Sequence, residues 1–130
     1  MYPGVRRNGH AARQYANVHS ESITDEATPH QLIQMLMSGF IARVNSAKGA
    51  MERSDYELKS TYISKAMAIV SGLNEAIDID KGGDIALNLR DLYEYLTSRL
   101  LVASQENDPA ILDEVTGLMK DIKSAWDAIA

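Results

Sequence analysis

Residues 28–51 read TPHQLIQMLMSGFIARVNSAKGAM and contain the clearest helical pattern in the chain. The Thr28 hydroxyl is suited to cap a helix N-terminus, and Pro29 is suited to the first helical position, where no N–H is needed. Apolar residues then recur at alternating spacings of four and three, so they share one helix face. They are Ile33, Met37, Phe40, Val44, Ala47 and Met51. The stretch predicts an amphipathic helix of roughly 20 to 25 residues.

Three similar patterns follow in the chain. The second helix is predicted to bury Ile63, Ala66, Val70, Leu73 and Ile77. The third follows a turn at Asp78–Gly83, with Asp84 as its cap, and is predicted to bury Ile85, Leu89, Leu92, Leu96 and Leu100. The fourth begins after the capping signal Asn107–Pro109 and is predicted to bury Ile111, Val115, Leu118, Ile122, Ala125 and Ile129. Because the turns are so short, each helix must run back along its predecessor, which predicts an all-α, antiparallel, up-down-up-down four-helix bundle.

The N-terminal residues differ from the rest in charge and periodicity. Residues 1–20 contain Arg6, Arg7 and Arg13 and no acidic residue, whereas the remainder carries 10 basic and all 18 acidic residues. We therefore predict a flexible basic arm or short helix at 1–22 and a four-helix bundle domain at 23–130. The arm is interpreted as a solvated tail, although nucleic acid or the acidic body of the same chain are further possible contacts. A net acidic body argues against nucleic acid as the main partner.

The sequence shows no constellation for catalysis, metal binding or cofactor binding. It lacks cysteine, and its histidines are His10, His19 and His30, none of which follows a glutamate by three residues in a helical pattern. Gly82-Gly83 lacks the strand and the Gly-Lys-Ser/Thr of a phosphate-binding loop. No apolar run has the length of a signal-peptide core or a membrane span. We expect a cytoplasmic protein that is not an enzyme, has no cofactor and does not insert into membranes.

Apolar residues exceed what four core faces require. Some of them broaden the core, which is the better interpretation for any single residue, but together they predict a partner-binding surface. Residues of the second and third helices, with Tyr15 of the arm, are the candidates for partner contacts: Tyr15, Tyr62, Met67, Ile69, Tyr93, Tyr95 and Leu101. Of these, Tyr62, Ile69, Tyr93, Tyr95 and Leu101 are expected to be partly exposed.

Several segments, in order, make the chain resemble the FliS family of flagellin-specific export chaperones. Met1-Tyr2 and Gln14-Tyr15-Ala16 come first, and Thr28–Gly39 is similar to the family's Ser-Pro-x-x-Leu-Ile-x-Met-Leu-Tyr/Phe-Asp-Gly. Gly82–Tyr95 and Ala125-Trp126 follow in the family's order. Met37 and Ser38 depart from the pattern, because an aromatic residue followed by an acidic one is common there.

The resemblance implies a chaperone that binds the disordered C-terminal segment of cytosolic flagellin and prevents premature polymerisation. It also implies delivery of flagellin to a component of the flagellar type III export gate, and an N-terminal arm that can cover part of the site when flagellin is absent. The alternative is a structural or regulatory bundle that associates with itself through the surplus apolar surface.

Overall fold

The structure is a computed structural model that describes residues 26–129. This part of the chain consists of four helices without strands: α1 (Pro29–Glu52), α2 (Tyr56–Glu75), α3 (Ile79–Glu106) and α4 (Pro109–Ala128). The predicted all-α class is therefore confirmed. The predicted basic arm at 1–22 lies outside the described residues.

Short polar side chains cap each helix. Thr28 accepts a hydrogen bond from the Gln31 backbone while the Gln31 side chain accepts one from the Thr28 backbone, so the predicted cap of α1 is a full capping box. Asp55 and Asp108 accept hydrogen bonds from the first turns of α2 and α4, and Asp108 lies within the predicted capping signal. These caps satisfy backbone N–H groups that have no partner inside the helix.

Side-chain bonds between helices define their antiparallel arrangement. Gln34 near the start of α1 bonds to Asp127 near the end of α4 at 2.8 Å, while Lys48 near the end of α1 pairs with Asp113 near the start of α4 at 2.8 Å. Lys59 near the start of α2 bonds to Ser104 near the end of α3. Consecutive helices pack together and α4 closes against α1. The predicted four-helix bundle is confirmed.

The predicted core faces of α1 and α2 agree with the structure. Met37, Phe40, Val44, Ala47 and Met51 are buried in α1, and Leu32 and Leu36 are buried beside them. The buried residues of α2 include Ile63, Ala66, Val70 and Leu73. Ile33 and Ile77, which lie near one end of the bundle, are partly buried against this core.

The start of α3 differs from its prediction. Asp78, not Asp84, caps the helix, and its side chain accepts a hydrogen bond from the Lys81 N–H. The helix is then broken at Gly83, whose φ of 56° and ψ of −130° suit glycine and strain any residue with a Cβ. The predicted turn is therefore one helical turn followed by a kink, because Asp78 offers a cap before the glycines interrupt the helix.

The predicted core faces of α3 and α4 are confirmed in part: Leu96, Leu100, Ile111 and Val115 are buried, and Leu89, Leu118 and Ile122 are partly buried. In α3, Tyr93 and Ala86 are buried, whereas Ile85 and Leu92 are exposed. In α4 the buried side chains include Leu112 and Met119, whereas Ala125 and Ile129 are exposed. Successive residues of a helix point in directions about 100° apart around its axis. When apolar residues lie on both sides of the predicted face, the sequence alone does not indicate which of them point into the core. Packing against the neighbouring helices decides which residues enter the core.

No helix within 26–129 is long and apolar enough to cross a membrane.

Candidate partner-binding surfaces

The predicted contact residues within 26–129 comprise an exposed pair, a half-buried pair and a buried pair. Tyr95 and Leu101 of α3 are 44% and 47% exposed, as expected. Tyr62 and Met67 of α2 are half-buried and pack against the core. Tyr15 lies outside the described residues. The structure therefore leaves four of the predicted side chains within reach of a partner, at separate places on α2 and α3.

Ile69 and Tyr93 are core residues, and the expectation that they are partly exposed is wrong. Ile69 is 3% and Tyr93 is 2% exposed. Tyr93 faces the interior of the bundle, and this burial raises the pKa of its phenol. Ile69 therefore offers almost no surface to a partner, and Tyr93 offers one only where it lines the cavity that also contains Trp126.

Sequence reasoning assigned other exposed apolar residues to the core. Ile85, at 79%, is the most exposed large apolar residue in the described part of the chain, and Ile129 is 60% exposed. Leu92 is exposed to a smaller extent, as is Ile79, which lies in the predicted turn. A sequence signal for Ile85 was present, because it follows Gly82-Gly83, where the helix departs from regular geometry.

An apolar cavity of about 370 Å³ opens where the start of α1, the end of α2, the first half of α3 and the end of α4 meet. We call it the bundle-end pocket, and its apolar lining includes Ile33, Leu73, Ile77, Ile85, Leu89 and Trp126. Asp78 and Lys81 are polar members of the same wall. Concave apolar sites with a few polar groups are the usual form of ligand and peptide pockets.

Trp126 holds a fixed position in this pocket. Its indole N–H donates a hydrogen bond of 3.1 Å to the His30 carbonyl oxygen. The two rings also stack, with centroids 4.7 Å apart and planes 13° from parallel. An aromatic wall held by its neighbours provides a contact surface without the entropy loss of ordering a free side chain.

Polar groups with incomplete bonding lie beside the pocket. Asn74 Oδ1 and Glu75 Oε1, just before Ala76 and Ile77, are buried without hydrogen-bond partners. The same holds for Arg90 Nε, which follows Leu89 in the sequence. Buried polar atoms normally have hydrogen-bond partners, and these three belong to residues close in sequence to Leu73, Ile77 and Leu89 of the pocket lining.

A second concave surface follows the outer side of α1. It is a groove of about 730 Å³, which we call the α1 groove, and its lining includes Gln31, Gln34, Met35, Ser38, Gly39 and Ala42. Small side chains at 38, 39 and 42 permit close approach of another chain. Met35 offers an adaptable apolar contact in the same surface.

Tyr95 is oriented by a polar cluster between α3 and α4. Its hydroxyl donates a hydrogen bond to Glu114, and Arg99 Nε pairs with the other oxygen of that carboxylate at 3.0 Å. The hydrogen bond to Glu114 raises the pKa of Tyr95, and the bond from Tyr95, with a smaller contribution from Arg99, lowers the pKa of Glu114. The cluster presents the exposed Tyr95 ring in a defined place.

The described residues contain no group of three or more His, Asp or Glu side chains that could hold a metal ion, and the sequence has no cysteine. The features that the structure presents are apolar and concave surfaces suited to binding another chain.

Comparisons with known proteins show which proteins this chain is similar to. The sequence profile described as "Flagellar protein FliS" matches residues 11–130. The flagellar secretion chaperone FliSB of Pseudomonas aeruginosa is 46% identical over 92% of this chain and 95% of its own length. The flagellar secretion chaperone FliS of Salmonella typhimurium is 41% identical over 91% and 88%, and that of Vibrio cholerae is 38% identical over 88% and 85%.

Proposed function

The chain belongs to the FliS family of flagellar proteins, and from this premise we propose that it is a flagellar secretion chaperone that binds flagellin. The observation that carries the proposal is the similarity over almost the whole chain to relatives named flagellar secretion chaperones. The family implies a binding role rather than catalysis.

The proposed ligand is the disordered C-terminal segment of cytosolic flagellin. Ordering such a segment costs about 2–5 kcal/mol or more, so the complex must bury on the order of 1,000–3,000 Å². The exposed apolar residues of α3, the bundle-end pocket and the α1 groove together offer a surface that an extended ligand can follow around the bundle. Tyr62 and Met67 of α2 and Tyr95 and Leu101 of α3 remain proposed contacts, and Tyr15 of the arm is a further one.

Holding this segment would prevent premature polymerisation of flagellin in the cytoplasm. The chaperone would then bring flagellin to a component of the flagellar type III export gate. The proposed role requires no nucleic acid, membrane insertion or cofactor. We also propose that the basic arm at 1–22 covers part of the flagellin site when flagellin is absent, a role that its charge opposite to the acidic body supports.

Light scattering coupled to size-exclusion chromatography tests the proposal against self-association through the same apolar surface. A chaperone is expected to elute as a monomer alone and as a one-to-one complex with flagellin. A stable homodimer that does not bind flagellin would replace the proposal by the alternative of a self-associating structural or regulatory bundle.

Substitution of two exposed apolar residues tests the proposed contacts with flagellin. Replacing Tyr95 and Leu101 together by Asp is expected to weaken flagellin binding roughly tenfold or more, because two apolar contacts are lost. Helicity should not change, since both side chains are exposed. Unchanged affinity of the double variant would remove these two residues from the proposed site.

A further inference from the structure

Methionine is the only sulfur-containing residue in this chain, because the sequence has six methionines and no cysteine. All of them except Met1 lie within the described residues, where their environments differ. Met35 and Met67 are half-buried and pack against the core. The others are core residues, no more than 5% exposed: Met37, Met51 and Met119. The structure therefore distinguishes two accessible thioethers from three that the core protects.

Both accessible methionines lie on surfaces proposed to bind flagellin. Met35 lines the α1 groove beside Ser38, Gly39 and Ala42, whose small side chains permit close approach of another chain. Met67 is one of the proposed contacts on α2. A thioether is apolar and adapts its shape, so it suits both places. The accessible methionines are therefore ones that a bound segment would cover.

Hydrogen peroxide converts methionine to methionine sulfoxide in one step. The thioether sulfur attacks one peroxide oxygen, a sulfur–oxygen bond forms, the O–O bond breaks, and the other oxygen leaves as water. The sulfur loses two electrons and the peroxide gains them. The product is polar, and methionine sulfoxide reductases reverse the change.

Contact with the dissolved oxidant decides which methionines react. A core methionine meets peroxide only when the bundle opens, whereas a half-buried one meets it in the folded state. The core therefore keeps its apolar packing while Met35 and Met67 each gain a polar oxygen. Covering that oxygen with a bound segment removes water from it, which disfavours binding unless a new hydrogen bond forms.

We propose that Met35 and Met67 are oxidation sites through which peroxide reversibly switches off partner binding while the bundle stays folded. Oxidation of the two side chains lowers the affinity for flagellin, and their reduction restores it. This inference rests on the proposed function, because flagellin is the partner whose binding is lost.

The order of oxidation is the first test. The full chain is treated with hydrogen peroxide, catalase removes the excess, and peptide mass spectrometry measures the sulfoxide at each methionine over time. Met35 and Met67 are expected to react at least about tenfold faster than the three core methionines, with no change in circular dichroism. Equal rates at the accessible and core methionines, or a loss of helicity during oxidation, would overturn the proposal.

Flagellin affinity before and after oxidation is the second test, with peroxide removed before flagellin is added. Oxidised wild type is expected to bind roughly tenfold more weakly, and prior treatment with methionine sulfoxide reductases should restore its affinity. Met35→Leu with Met67→Leu preserves the apolar volume without sulfur, so peroxide should leave the affinity of this variant within about twofold. Met119→Leu is the matched control, because it removes a core thioether and should still lose affinity on oxidation.

The outcomes separate this proposal from the proposed function. If untreated wild type binds flagellin and the oxidised protein binds equally well, the two methionines form no switch and the proposed function stands. An equal loss of affinity in the double leucine variant would place the sensitive group elsewhere, such as Met1, and would also overturn the proposal. If untreated wild type does not bind flagellin, both proposals are overturned, whatever the order of oxidation.

Discussion

Trp126 in α4 donates its indole N–H to the backbone carbonyl of His30 in α1, over 3.1 Å. The same two residues stack their rings at 4.7 Å. The contact joins the first turn of the described bundle to its last helix, across 96 positions of sequence. It therefore links α1 to α4 at the end of the bundle where the bundle-end pocket opens.

Replacing Trp126 by Phe should reduce the free energy of unfolding by about 1 kcal/mol or more, because the hydrogen bond is lost and a smaller phenyl ring replaces the indole. Urea unfolding followed by circular dichroism measures the change. Tyr56→Phe is the control, since its exposed hydroxyl makes only a long 3.4 Å contact with Ser54; its effect should stay within about 0.5 kcal/mol. Equal stabilities for both variants would show that the bond to His30 contributes nothing.

Lys59 provides a link at the opposite end of the bundle. Although only 5% exposed, its ammonium group donates to the Ser104 carbonyl at 2.9 Å and approaches the Ser104 hydroxyl at 3.3 Å. That carbonyl lies in the last turn of α3, where backbone acceptors lack partners within the helix. Lys59→Met should lower the free energy of unfolding by about 1–3 kcal/mol, since the buried acceptor loses a charged donor.

Lys120→Met is the matched control for this link, because Lys120 is exposed on α4. Chemical denaturation should place this variant within about 0.5 kcal/mol of wild type. A Lys59→Met protein as stable as the control would mean that apolar packing of methionine compensates for the lost bond.

Two glycines test the kink of α3. Gly83→Ala places a Cβ at a φ of 56° and should cost about 1–3 kcal/mol or straighten the helix. Gly117→Ala introduces the same group in the interior of α4, where no atom lies within 4 Å of the added carbon; it should stabilise the protein by up to about 1 kcal/mol. Thermal unfolding of the pair distinguishes them, and stabilisation by both substitutions would contradict the observed kink.

The pH dependence of stability tests the cluster of Tyr95, Arg99 and Glu114. The pKa of Glu114 lies below its ordinary value of 4.5, chiefly because the Tyr95 hydroxyl donates to the carboxylate. The unfolded chain takes up this proton more readily, so the cluster stabilises the protein above pH ~4.5 and loses this effect as the pH falls through the lowered pKa.

Glu114→Gln should therefore be less stable than wild type at pH 7, and the difference should shrink toward zero in acid. Urea midpoints measured from pH 7 down to about 3 provide the comparison. A constant difference over this range would show that the effect of the substitution does not depend on the ionised carboxylate.

The capping signals and short turns allowed most of the fold to be predicted from sequence. Thr28-Pro29 and Asp108-Pro109 mark helix starts that the structure confirms. The stripes of α1 and α2 were assigned correctly because their apolar residues lie mostly on one side. Once the helix boundaries are known, the short connections permit few arrangements other than antiparallel neighbours.

The site was less accessible to sequence reasoning, as α3 illustrates. Leu92 and Tyr93 are adjacent and both apolar, so periodicity alone did not indicate that Tyr93 enters the core and Leu92 faces outward. Ile85 fits the helical spacing of a core residue, yet the kink at Gly83 leaves it exposed. Exposure at the end of a bundle depends on where neighbouring helices stop, and the pattern of one helix does not contain that information.

Calorimetric titration with flagellin from the same source tests the central claim most directly, using full-length flagellin beside a form that lacks its last 40 or so residues. The account predicts tight one-to-one binding to the full-length form with a negative heat-capacity change, because apolar surface is buried while the segment folds. It predicts no binding to the truncated form. Equal binding to both forms would contradict the assignment of the C-terminal segment, and absence of binding to either would contradict the chaperone function itself.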